Sequence, residues 1–293
     1  MKKILLLNAN TAFNKNFAAE CSKKGIQCDI AKTREFILDI KNNKVSLVLK
    51  NNLYATDDLY VLVRLRGKDM HFASILCEFF KQKQVKFTDS LNTHHEFSHG
   101  KIQQMMVLPL NGLPVPDSII CSEISYAHNR DFIQDRISYP CVLKTETDRG
   151  EGVWKIENQE QLELRMKEAS SNDAQQGCIT LFIIQEYIPN TYDTRVAMFE
   201  DTVIRILDRS SVDGFYNNHS RGAHFEYSEI TDEEYELCNK ARTVMHLDLA
   251  GIDFVRTADG RVLFFEINMK PQMNADYLPL IIEKIAEKYF KRI

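Results

Sequence analysis

The stretch Ala250-Gly-Ile-Asp253-Phe-Val255, followed by Asp259-Gly260 and then Val262-Leu-Phe-Phe-Glu266-Ile-Asn268, decides how this chain is read. Asp-Gly between two apolar runs is a strong hairpin signal. Residues two apart on a strand share a face, so Glu266 and Asn268 point together out of an otherwise apolar run, with Asp253 on the partner strand. Three oxygen donors flanked by Ile252, Phe254, Phe265 and Ile267 would be costly to bury unpaired, and a hard divalent cation such as Mg2+ resolves that cost. A solvated face of an amphipathic hairpin fits the same pattern.

Moving towards the N-terminus, strands are expected at 180–185, 195–200 and 203–208, and Thr231-Asp-Glu-Glu234 opens a helix with a capping box. Phe182-Ile-Ile-Gln185-Glu186-Tyr187-Ile188-Pro189 is an apolar strand whose end could offer main-chain groups to an adenine edge, with Tyr187 and Ile188 as walls. Asp193-Thr-Arg195 and Arg209 lie on neighbouring strands, where the guanidinium groups could hold phosphate or a carboxylate, or form structural ion pairs. Further upstream, Tyr139-Pro-Cys-Val-Leu-Lys144 runs into Thr147-Asp-Arg-Gly150-Glu-Gly152. A lysine at the end of a buried strand beside a glycine loop can surround phosphate oxygens with a cation and backbone amides, although a plain hairpin turn is the commoner explanation. Lys101 alone reads as a surface lysine. A polar loop is expected around 170–177.

The N-terminal part reads as βαβ: an apolar run at 3–8, a helix from about 12 to 24, Gly25, and a strand at 26–30. Further strands at 45–49, 60–65 and 85–88, with a helix between the last two, complete a small parallel α/β domain ending near residue 92. The stretch Leu108-Pro-Leu-Asn-Gly-Leu-Pro-Val-Pro-Asp117 is incompatible with a helix interior and marks the passage into the next domain.

A net charge of −4 over 293 residues leaves bulk nucleic-acid binding unexpected. The four strongly apolar residues Ile4 to Leu7 are too few for a secretory segment, and no run approaches the roughly eighteen of a membrane span. Seven scattered cysteines without a C-x-x-C pair suit reduced thiols, so a cytoplasmic protein is expected. His94, His95 and His99 read as a polar linker rather than metal ligands, for want of a matching partner.

Taken in chain order, these elements resemble the ATP-grasp superfamily, specifically the RimK-like carboxylate ligases, from about Phe97 to Ala275. The resemblance implies an α/β (α+β) fold: an N-terminal parallel α/β domain (1–95), a small central domain (96–180) and a C-terminal antiparallel-sheet domain (181–293). It implies ATP and Mg2+ as cofactors, two ions, with Mn2+ as an alternative. Lys101 and Lys144 match lysines on nucleotide phosphates, and Gly150 and Gly152 belong to the covering loop. Glu186, Tyr187 and Ile188 match the adenine hinge, Gln185 beside them is a further cofactor-binding candidate, and Asp193 lies near the ribose and substrate cleft. Asp253, Glu266 and Asn268 match the metal ligands.

The segment Phe215-Tyr-Asn-Asn218-His-Ser-Arg221-Gly-Ala223 looks like the family's Phe-Arg-x-Asn-x-x-x-Gly-Gly, with Tyr216 in place of the arginine and Ala223 in place of the second glycine. Asn218 is the residue carried over there; Arg195, Arg209 or Arg221 would supply the missing charge. The implied activity is activation of a carboxylate as an acyl phosphate and its coupling to an amine or hydroxyl. The substrate would be a peptide or amino acid, including a precursor peptide with a leader, and a homo-oligomer is left open. A macrocyclase, or a non-catalytic nucleotide- or peptide-binding module, are the alternatives.

Overall fold

The computed structural model describes residues 2–8, 11–42, 44–64, 69–93, 100–146, 152–174, 179–210, 224–271 and 277–290. The chain opens with β1 (Lys3–Asn8), α1 (Thr11–Lys23), β2 (Gln27–Ala31), β3 (Phe36–Lys41), β4 (Lys44–Leu49), β5 (Asn52–Leu53), β6 (Leu59–Arg64), α2 (Asp69–Gln82) and β7 (Lys86–Thr88). Among the described residues, β2-β1-β6-β7 is a parallel sheet. Leu5, Leu7, Val61 and Val63 face α2 on one side, while Ile4, Leu6, Tyr60 and Leu62 face α1 on the other. Burial on both faces is why these strands read as unbroken apolar runs.

The strand expected at 45–49 exists but does not join the parallel sheet. It pairs antiparallel with β3 and β5 in a small separate sheet. Phe36, Leu47 and Leu49 continue the apolar surface under α2, but the hairpin extends past that core and leaves Ile40 73% exposed. Local alternation shows a strand and is silent on its partner.

The chain continues with α3 (Lys101–Leu110), β8 (Ser118–Ser122), α4 (Glu123–His128), α5 (Arg130–Arg136), β9 (Cys141–Lys144), β10 (Val153–Ile156), α6 (Gln159–Ala174) and β11 (Leu181–Glu186). Two expectations are corrected here. Pro109 lies inside the last turn of α3, where only one intrahelical bond is lost. The polar stretch from Ser170 is the end of α6 up to Ala174 rather than a loop. Asn158 Oδ1 accepts from Gln161 N at 3.0 Å as the sequence suggests, while the Gln161 side chain reaches back to Glu157 N. The strands form the antiparallel sheet β10-β9-β11-β8, packed on α4, α5 and α6 through Tyr126, Ile133, Leu162 and Met166.

The remaining elements are β12 (Asp193–Phe199), β13 (Thr202–Ser210), β14 (His224–Tyr227), α7 (Asp232–Val244), β15 (Leu249–Arg256), β16 (Val262–Asn268) and α8 (Leu278–Tyr289). The antiparallel sheet β14-β13-β12-β15-β16 packs its apolar face on α3 and α7. Thr231 and Glu234 form the capping box of α7. Leu278, Ile281, Ile282 and Ile285 of α8 return to the N-terminal sheet and join the core of α1. Six described cysteines are free thiols, five of them buried; Cys178 lies outside the described residues, as do His94, His95 and His99. Among the described residues no helix is long and apolar enough to cross a membrane.

Candidate active site

Asp193 and Arg195 are two apart on β12 and therefore share a sheet face. Register sets Asp193 opposite Arg209 on β13, Arg195 opposite Asp253 on β15, and Asp253 opposite Glu266 on β16. The Arg195 guanidinium donates to both oxygens of Asp253, from Nε at 2.6 Å and from Nη2 at 2.5 Å. Arg209 donates likewise to Asp193 at 2.8 and 2.6 Å, and its Nη2 lies 3.1 Å from Asp253 Oδ2. Two bidentate pairs joined by a cross-link give a fixed, buried ion network.

Burial raises the Asp193 carboxyl to about 6, against the opposing pull of Arg209. Burial pushes Asp253 upward too, but Arg195 and Arg209 outweigh it and hold that carboxyl below its ordinary value. Burial works against the Arg209 cation, yet Asp253 and Asp193 more than offset it and the group stays charged.

Beyond Asp253 the ladder slips by one residue: Asp253 pairs with Glu266 but Phe254 with Phe264, so Phe265 is the extra residue of a β-bulge. A bulge re-aims side chains. Phe265 and Glu266, adjacent in sequence, thus line the same cleft while Phe264 stays in the core.

The opposite wall comes from the sheet β10-β9-β11-β8. Val142 and Lys144 share a face of β9, with Val153 of β10 opposite Lys144 and Gln185 of β11 opposite Val142. Lys144 Nζ donates to Gln185 Oε1 at 2.7 Å and lies 5.4 Å from the centre of the Phe265 ring. Gln185 is buried and donates in turn to Ser118 Oγ at 2.8 Å, so its role in the geometry is to orient Lys144. Burial brings the Lys144 ammonium down to about 8, with Glu266 opposing the shift and Lys101 reinforcing it. At the strand end, Asp117 N donates to Glu186 Oε1 and Glu186 N donates to Asp117 O, both at 2.9 Å. Glu186 is therefore tied to β8, and Tyr187 packs under Lys155, whose Nζ is 4.8 Å from the ring centre.

Lys101 begins α3, with its Nζ 3.9 Å from Glu266 Oε1. The N-terminus of that helix is held by Glu146, whose Oε1 accepts from Ile102 N at 2.8 Å. A Cβ at Gly100 would meet the Glu146 carboxylate at 1.7 Å, so a side chain there would displace Glu146 from this helix end.

One cleft between the two sheets is lined by Lys101, Lys144, Gln185, Glu186, Tyr187, Ile188, Asp193, Arg209, Asp253 and Glu266, all read from the sequence as site residues. Arg195 and Asn268 are not on its lining; they act behind it, Arg195 on Asp253 and Asn268 through Nδ2, 3.2 Å from Asp253 Oδ2. Gly152, with φ of 75°, adopts the left-handed turn that favours glycine, just before β10. Gly150, Asn218 and Arg221 lie outside the described residues, as do Tyr216 and Ala223. The sequence reading missed Val142, Val153, Asn190 and Phe265 as lining residues. Alternation from Lys144 would have found Val142, whereas the bulge that turns Phe265 has no local signature.

The donor chemistry of Asp253, Glu266 and Asn268 fits a hard divalent cation, because all three offer oxygen and converge from adjacent strands. Asp253 would share its oxygens with the arginines, while Glu266 is the more accessible carboxylate, at 33% exposure. Among the described residues no three His, Cys, Asp or Glu side chains converge; the third donor here is an amide.

The model of the RimK-like ATP-grasp domain matches residues 98–287. The chain belongs to the RimK-like ATP-grasp family. It is 31% identical over 182 residues to the ribosomal protein bS6–L-glutamate ligase of Escherichia coli O139:H28, a match covering 59% of this chain and 56% of that protein. The chain thus spans about half the length of the curated relatives it matches. The ATP-grasp ligase PsnB, solved with precursor peptide PsnA2 and AMPPNP, superposes with a TM-score of 0.75 at 16% identity, over 98% of this chain and 97% of that one. The macrocyclase MdnC from Microcystis aeruginosa MRC, bound with precursor peptide MdnA, gives 0.64 at 16% identity over 100% of both chains. These two likenesses bear on the fold: the ATP-grasp architecture, α/β with one parallel sheet and two larger antiparallel ones, is that of the whole chain.

Proposed function

We propose that this chain is an ATP-dependent ligase that activates a carboxylate as an acyl phosphate and couples it to an amine or hydroxyl of a peptide. The observation that carries the reading is the meeting, in one cleft, of Lys101, Lys144 and Arg209 with Asp253 and Glu266, drawn from α3, β9, β13, β15 and β16. Anion-binding cations beside oxygen donors suit a metal-bound triphosphate.

In this reading the base lies between Val142, Val153 and the hinge at Tyr187 and Ile188, and the phosphates run towards Lys144 and Lys101. Asp253, Glu266 and Asn268 would hold Mg2+, which supplies charge neutralisation at the phosphates when bound. The substrate carboxylate attacks the γ-phosphorus, the bond to the β,γ-bridging oxygen breaks, and ADP leaves. The acceptor nitrogen or oxygen then attacks the acyl carbon, releasing phosphate and a proton. Arg209, held as a cation, stabilises charge in both steps. The metal number, the use of Mn2+ and the division into three parts near residues 95 and 180 belong to this proposal.

Two relatives, a glutamate ligase of a ribosomal protein and an ATP-grasp ligase complexed with a precursor peptide, support a peptide acceptor. A macrocyclase, closing side-chain ester or amide links within one peptide, is the second reading; the match to MdnC over the full length of both chains supports it. Incubation with ATP, Mg2+ and candidate peptides tests both. ADP release with a mass gain of one amino-acid residue marks ligation, and loss of water per link marks ring closure. No ADP release above background with any acceptor would sink the ligase reading and favour a binding module.

A further inference from the structure

β16, which carries Glu266 and Asn268, is the outer strand of its sheet among the described residues, so one side of its backbone lacks a partner strand. The bulge at Phe265 loosens it further, since a bulge interrupts the ladder. A slip of one residue there would turn Glu266 and Asn268 towards the core and Ile267 towards the cleft.

Pro114 O accepts from Phe264 N at 2.9 Å on this open edge, and Gln104 fills it beside Ile267. Its side chain is 3% exposed; Oε1 accepts from Ile267 N at 2.9 Å and Nε2 donates to Ile267 O at 2.9 Å. The amide thereby acts as a one-residue strand, paired with the residue between Glu266 and Asn268. Only Asn and Gln carry both a donor and an acceptor in this planar arrangement, and Asn is one methylene shorter. Gln104 is also three residues after Lys101, on the same side of α3, and Lys101 lies 3.9 Å from Glu266. The next residue, Met105, meets Gln185 Nε2 through its sulfur at 3.5 Å, and Gln185 orients Lys144. A single helix turn therefore sets both lysines relative to β16.

We infer that Gln104 is a positioning residue for the Glu266 and Asn268 pair, holding the edge strand in the one register that sets Glu266 on the cleft and Asn268 behind it against Asp253. The inference rests on the proposed reading of those two residues as divalent-metal ligands. It adds a residue that touches neither metal nor nucleotide and acts through the backbone of Ile267.

The test uses the full chain as wild type, Gln104→Leu, Gln104→Glu and, as a packing control on the same helix, Leu108→Val. Mn2+ binding in the presence of ADP is measured by calorimetry or electron paramagnetic resonance, ADP binding is measured without metal, and amide exchange is followed across 262–268. Gln104→Leu is expected to weaken Mn2+ binding by about ten- to a hundredfold, the range for outer groups that orient metal ligands. Exchange at Ile267 speeds up and metal-free ADP binding is unchanged. Gln104→Glu keeps the acceptor half and shows a smaller loss, while Leu108→Val keeps wild-type Mn2+ affinity. Wild-type Mn2+ affinity in a folded Gln104→Leu protein would overturn the inference, as would an equal loss in Leu108→Val. If Gln104→Leu does not fold, Gln104→Glu decides: wild-type Mn2+ affinity with faster exchange at Ile267 overturns the inference. Failure of the wild-type protein to bind Mn2+ with ADP present would overturn the metal reading itself.

Discussion

Arg195 and Asp253 lie directly opposite each other on β12 and β15 and are joined by two parallel bonds, at 2.6 and 2.5 Å, that occupy both carboxylate oxygens. The Asp253 side chain is 4% exposed and that of Arg195 24%. Removing the guanidinium leaves a buried carboxylate with Arg209 and Asn268 as remaining partners. Arg195→Met should lower stability by about 3 kcal/mol, since breaking one side of a buried pair strands the other. The loss should shrink in acid: Asp253 is held below its ordinary value, so the stability it contributes is present above the unfolded pKa of about 4 and disappears as pH falls below it. Urea melts at neutral pH and near pH 3 check both statements.

Lys144 offers a second pH test with the opposite sign. Its ammonium loses its proton near pH 8 in the folded chain, well below its ordinary 10.5. Between those values the unfolded state binds more protons, so this group makes stability rise with pH across that window. A phosphate ligand prefers the charged form, so ADP affinity should fall above pH 8, by up to about tenfold per unit. Lys144→Met should flatten the profile; a wild-type pH dependence in that variant would refute the assignment.

Glu266 is the accessible carboxylate of the set, and the ion pair that its removal breaks, to Lys101, is long at 3.9 Å. Glu266→Ala should change stability by no more than about 0.5 kcal/mol. Metal-dependent ATP turnover should be abolished, and titration with Mg2+ should not restore it. Turnover at the wild-type level would remove Glu266 from the metal set.

At the junction of the N-terminal and C-terminal sheets, Asp89 accepts from Asp248 N at 2.8 Å and from Leu249 N at 2.7 Å. Burial, reinforced by the neighbouring Asp248, raises its carboxyl to about 8. The folded state then binds more protons than the unfolded one from about pH 4 upward, so stability falls as pH rises through that range. Asp89→Asn keeps an acceptor oxygen for both amides and cannot ionise. It should flatten the stability profile between about pH 4 and 8, and raise the melting temperature at neutral pH. An unchanged slope in thermal melts would refute this.

Much of the site was legible because its residues sit on short local patterns. Glu266-x-Asn268 and Asp193-x-Arg195 use the two-residue period of a strand, and a hairpin turn brings Asp253 to Glu266. Lys144 and Gln185 each end a buried apolar run, and those two strands prove to be neighbours. Other features had no such signal. Gln104 looks like any polar helix residue until Ile267 is placed beside it, and Val45 to Leu49 alternate as a strand in any sheet.

The sequence alone nominated candidate side chains for phosphate and metal, because residue type and spacing along one element are written in chain order. It also determined the parallel opening, since burial on both faces demands continuous apolar runs. Tertiary structure decided the relations between elements: that Arg195 serves Asp253 rather than the cleft, that Phe265 turns outward at a bulge, and that α8 returns to the first sheet. These depend on strand register and on contacts between residues as far apart as Gln104 and Ile267, which the order of residues along a single element does not encode.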